Sequence, residues 1–127
     1  MGRFQSDLHR RVKGKNVTPF AAAARTATPA SSATIDTREA NSLVLTLAAT
    51  AKTGTSPTLD VKAQTSEDGS TWVDVVSGAF TQLTSGSTLP SSQTLIINHL
   101  GAYTKLVSTI GGSSTPGWTY SVVGYSK

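Results

Sequence analysis

Residues 58 to 76 read TLDVKAQTSEDGSTWVDVV, from Thr58 to Val76, and this stretch decides the fold. Leu59, Val61 and Ala63 alternate with Asp60, Lys62 and Gln64, the period of a strand with one buried face. Asp68-Gly69 then supplies a tight turn, because Gly takes a positive φ without steric cost and Asp hydrogen-bonds its own backbone. Trp72 to Val76 follows as the returning strand. The whole is a β-hairpin.

The same pattern extends outward. Leu43, Leu45 and Leu47 alternate with Val44, Thr46 and Ala48, and the turn-rich segment Lys52 to Pro57 reads as a loop between this strand and the next. On the other side a short strand is expected at Ala79 to Leu83, then a Ser/Gly/Pro loop over Thr84 to Ser92. Strands at Gln93 to Asn98, Ala102 to Ile110 and Trp118 to Tyr125 follow, with Gly111 to Gly117 as the last connector. Seven or eight short strands without a helical period predict an all-β fold, a single antiparallel β-sandwich of jelly-roll-like character. No internal repeat suggests a propeller or solenoid.

Composition agrees with this class. The 127 residues suffice for one domain, and only 14% are charged and 37% hydrophobic, with Ser, Thr and Gly taking up the remainder. There is no cysteine, which removes disulfides, thiolate nucleophiles and Cys-ligated metals. The apolar run from Leu43 to Ala51 is far short of the roughly 20 residues that cross a bilayer. No apolar stretch follows the basic start, so no secretory signal is expected, and Gly2 with Ser6 makes only a short match to a myristoylation motif.

Charge is distributed unevenly. Up to Ser32, Arg3, Arg10, Arg11, Lys13, Lys15 and Arg25 face the single acid Asp7, a net +5, whereas the remainder nets −1. Residues 1–32 are therefore expected to form an extended basic arm, Ala/Thr/Pro/Ser-rich in its second part and interrupted by Pro19 and Pro29, with 33–127 as the sandwich domain. A cationic arm suits an acidic partner. Arg3, Phe4, Leu8, Arg10, Arg11, Lys13, Lys15 and Phe20 are the candidate partner-binding residues. Their apolar members favour docking on protein over phosphate contacts with nucleic acid.

Catalytic chemistry has little to build on. His9 and His99 are far apart without neighbouring ligands, and Asp60, Glu67 and Asp68 read as a solvated strand face and a turn. The chain is expected to be non-enzymatic, with no cofactor and no metal. Ser66, Asp68, Thr71 and Trp72 approach the Asp-box pattern Ser-x-Asp-x-Gly-x-Thr-Trp, but Asp68 and Gly69 are adjacent and the motif occurs once, so a plain hairpin is the better reading. Tyr103, Trp118, Tyr120 and Tyr125 would make a carbohydrate- or base-stacking platform if exposed together, and core otherwise.

The hairpin from Thr58 to Val76, with Leu106 to Gly112 and Trp118 to Val122, resembles the small β-sandwich virion proteins of tailed bacteriophages over roughly Ile35 to Tyr125. The resemblance implies a virion structural protein, foremost a head decoration (cement) protein bound to the major capsid protein or other virion proteins, as a homo-oligomer or in many copies on the lattice, on the capsid surface and in the host cytoplasm during assembly. A neck or tail component comes next. A carbohydrate-binding host-recognition sandwich is the competing class.

Overall fold

A computed structural model describes residues 14–26 and 28–127. The described residues form seven strands: β1 (Lys15–Arg25), β2 (Ala30–Ser31), β3 (Ile35–Asp36), β4 (Leu43–Ser66), β5 (Val73–Ala79), β6 (Ser91–Ile97) and β7 (Tyr103–Ser126). No helix occurs among the described residues. The all-β, antiparallel sandwich expected from the sequence is the observed fold.

Its organising feature is a pair of 24-residue strands, several times the usual five or six. β4 and β7 run antiparallel from Leu43 opposite Ser126 to Ser66 opposite Tyr103. Midway both strands bend together, with register shifts between Thr53 and Thr58. Gly54 (φ 92°) and Ser56 on β4, and Gly112, Ser114 and Thr115 on β7, hold positive φ there. The segments expected as loops, 52–57 and 111–117, are thus corners of continuous strands. Turn-forming residues bend a paired ribbon as readily as they end a strand, so long as the ladder resumes beyond them.

The bend divides the sheet into two halves. The first half-sheet runs β6, β4 (43–53), β7 (117–126), β1; the second runs β5, β4 (58–66), β7 (103–111), with β2 and β3 on the outer edge of β7. The two fold face to face. Leu43, Leu45, Leu47, Ala49, Trp118, Tyr120 and Val122 from the first meet Leu59, Val61, Ala63, Leu106 and Ile110 from the second in one core. Leu83 closes one side through an isolated bridge to Leu59, where a strand over Ala79 to Leu83 was expected. Gln93 closes it further, accepting from Thr81 N and donating to Thr81 O.

The segment read as the second part of an arm belongs to this sheet. β1 pairs with β7 from Lys15 opposite Ser126 to Arg25 opposite Trp118, and Phe20 is buried against the edge of Tyr120. β2 adds Ala30 and Ser31 beside Ser108 and Val107. Pro19 is tolerated because β1 is an edge strand, and two register shifts flank Phe20. Burying one Phe contributes about 1.5–3 kcal/mol. That is a sizeable part of the roughly 5–15 kcal/mol holding a domain folded, so the sandwich begins at Lys15 and not at residue 33.

Candidate partner-binding surface

Alternation along β4 and β7 sends every second side chain outward, so each half-sheet has its own outer face. On the second half-sheet this face is charged. Lys62 pairs with Asp74 at 3.1 Å, Gln64 donates to the same carboxylate, and Gln82 donates to Asp60. Gln64 foremost, and then Lys62, hold Asp74 below the usual carboxylate range. The Lys105 ammonium lies 4.6 Å from the Trp72 ring centre. At the strand end Arg38 binds Asp36 through two nitrogens and covers Tyr103, and its hydrogen bonds lower Asp36 to about 2.

The hairpin turn uses its polar groups on itself. Ser66 Oγ accepts from the N–H groups of Asp68 and Gly69 and donates to Asp68 Oδ1, which also accepts from Ser70 N and Thr71 N. Those bonds, led by Thr71 N–H, lower Asp68 to about 2. Gly69 sits at φ 81°, as a tight turn after Asp68 requires. The Asp-box-like residues therefore build a turn. Among the described residues no three His, Asp or Glu side chains converge to hold a metal ion.

The four aromatic residues considered as a platform are dispersed. Trp118 and Tyr120 are core residues, Tyr103 lies under Arg38 on the second half-sheet, and Tyr125 is on the outer face of the first.

Charge is divided unequally between the halves, which meet where Lys15 adds to the field that lowers Asp36. Lys15, Arg25, Lys52 and Lys127 belong to the strands and chain end of the first half-sheet, which contain no acid; Asp36, Glu39, Asp60, Glu67, Asp68 and Asp74 all belong to the second half-sheet and its connections, with Arg38, Lys62 and Lys105. The first half nets +4 and the second −3. The basic leader, carrying Arg3, Phe4, Leu8, Arg10, Arg11 and Lys13, lies outside the described residues. It joins the fold at Gly14, next to the first half-sheet, where Lys15 pairs with Ser126. Of the candidate binding residues that are described, Lys15 is exposed at that entry and Phe20 is in the core. Phe20 cannot anchor a partner without opening the sandwich.

Arg25, which the sequence offered only as one more cation, acts inside the fold. Its guanidinium covers the rings of Tyr120 (4.7 Å) and Phe20 (5.1 Å) and donates to the carbonyls of Ala21, Ala23 and Tyr120. It fastens β1 to β7. An arginine with only Ala and Thr for sequence neighbours gives no local sign of this.

No family model and no curated protein matches the chain. Among solved structures, the CBM36-1 domain of a multidomain xylanase from the hindgut metagenome of Trinervitermes trinervoides is similar, at 11% identity and a TM-score of 0.50, over 88% of this chain and 95% of that one. The likeness is one of fold. The SPBc2 prophage-derived protein YomS is also similar, at 12% identity and a TM-score of 0.49, over 88% of this chain and 92% of that one.

Proposed function

We propose that this chain is a non-enzymatic structural protein of a tailed-phage virion, a decoration (cement) protein that stabilises the outer head shell by spanning neighbouring capsid subunits. The observation that carries the reading is the placement of charge. The basic leader enters the fold beside a half-sheet that has cations and no acids, so attraction to an acidic protein surface is concentrated on one side of the sandwich. The resemblance of Thr58 to Val76 to small virion sandwiches supports the same class. Many copies on a repeating lattice let a modest contact suffice.

Co-sedimentation with genome-free heads of the encoding phage tests this. The full chain should pellet with heads, and a chain beginning at Gly14 should bind at least about tenfold more weakly. Salt should weaken binding only partly, because Phe4, Leu8 and Val12 add apolar contacts to the cationic ones. Equal binding by both chains removes the leader from the mechanism. Binding to free DNA with a steep logarithmic salt dependence moves the protein to the nucleic-acid class. Binding to tails in place of heads assigns a neck or tail post. The carbohydrate-binding alternative receives no support from the dispersed aromatic residues.

A further inference from the structure

The outer face of the first half-sheet differs from that of the second in one respect that matters for association. The charged residues of the strands that build it, Lys15, Arg25 and Lys52, stand in register with the inward-facing Ser126 and Trp118, so the outward positions of this face carry no charge. A solvated sheet face is ordinarily marked by Lys, Glu, Asp or Arg, as the second half-sheet is, and depletion of charge is the compositional mark of a buried interface centre. The face is also apolar at one end. Ile96, Val44 and Tyr125 form a row across β6, β4 and β7, with Val123 in the next row, opposite Thr46. Ile96 is 59% exposed, Val123 44% and Tyr125 39%. Towards the corner the same face carries small residues, Ala48 opposite Ser92 and Ser121.

We propose that this face pairs with the same face of a second copy, the two sheets stacking about a two-fold axis near Thr46 and Val123. Three observations select a second copy over another occupant. An uncharged face meets itself without opposing like charges, whereas the outer face of the second half-sheet, on the half that nets −3, would meet its own copy with like charge. Large residues at one end and small ones at the other make the face self-complementary, since an antiparallel two-fold arrangement seats each Ile96–Val44–Tyr125 row on the partner's Ala48–Ser121 region. The area is also adequate. Four strands about 4.8 Å apart and about 26 Å long present roughly 500 Å² per copy, so that the pair buries about 1,000 Å², the lower bound for a specific interface. The dimer is therefore a weak one, and its formation is independent of whether the leader binds a capsid.

Sedimentation equilibrium of the full chain, at concentrations from about 10 μM to about 1 mM, tests the inference. The mean mass should rise from monomer towards dimer. Thr46→Glu should lower the association constant at least about tenfold, whereas Gln64→Glu on the second half-sheet should leave it unchanged. Because the chain has no cysteine, Thr46→Cys offers a second measurement that does not depend on a buried charge. It should oxidise readily to a disulfide-linked dimer, and Gln64→Cys should not. A wild-type chain that stays monomeric at the highest concentration overturns the proposal. So does an equal effect of the two Glu variants, or equal cross-linking of the two Cys variants.

Discussion

The hydroxyls of Tyr120 and Ser108 lie 2.7 Å apart in the core, and the two residues sit on opposite halves of a single strand. β7 bends at 111–117, so Tyr120 faces inward from the first half-sheet and Ser108 from the second. Each is 1% exposed or less. The bond ties the folded-over ends of one strand across the sandwich.

Tyr120→Phe should therefore cost about 1–3 kcal/mol, since Ser108 Oγ would be left buried without its partner. Adding Ser108→Ala should cost less than the sum of the two single changes, because the orphaned hydroxyl disappears with it. Urea denaturation of the three variants measures this. Strict additivity would show that the two hydroxyls do not interact.

The sandwich should tolerate loss of its leader but not of β1. A chain beginning at Gly14 should keep a cooperative thermal transition, whereas one beginning at Ala33 loses Phe20 and uncovers Tyr120, and should be unfolded or aggregated. Arg25→Ala in the full chain should lower stability by about 1–2 kcal/mol through the lost stacking on Phe20 and Tyr120 and the three carbonyl bonds. Circular dichroism during heating distinguishes the cases. A folded chain from Ala33 would show that β1 is dispensable.

Two glycines with positive φ should respond differently to substitution. At Gly69 an added Cβ meets nothing nearer than the Tyr103 ring at 3.8 Å, so Gly69→Ala carries the conformational cost alone, about 1 kcal/mol. At Gly54 a Cβ would lie 2.7 Å from Pro116 Cα and 2.9 Å from Ser113 O. There backbone must move as well, and Gly54→Ala should cost about 3 kcal/mol or more. Equal losses in melting temperature would mean that the corner is not closely packed.

Acid should weaken the hairpin turn in a defined window. Asp68 is lowered from 3.8 to about 2 by the N–H groups of Thr71 and Ser70 and by Ser66, so its ionised form favours the folded chain. That contribution is complete above about pH 4 and is lost as the pH falls towards about 2. Asp36, lowered to a similar value by Arg38, titrates over the same range. Asp68→Asn should accordingly flatten the fall of melting temperature between pH 5 and 2 without abolishing it. An unchanged slope would show that the turn does not depend on the charge of Asp68.

Local pattern determined the strand character of this protein and its hairpin. The alternation of Leu43, Leu45 and Leu47, and of Leu59, Val61 and Ala63, depends only on neighbours two residues apart, and Asp68-Gly69 carries its own turn geometry. Membership of β1 was not legible, because Ala21 to Ala24 show no alternation and Phe20 becomes a core residue only when β7 lies beside it. Nor could Gly54 and Gly112 announce that their segments bend two strands in concert, since that requires knowing that β4 and β7 are paired on both sides of the corner. The charge-free face and the acid-free half were beyond any linear reading for the same reason. Residues 16–24, 43–51, 91–97 and 117–126 are scattered along the chain, and only the register of the sheet places them side by side.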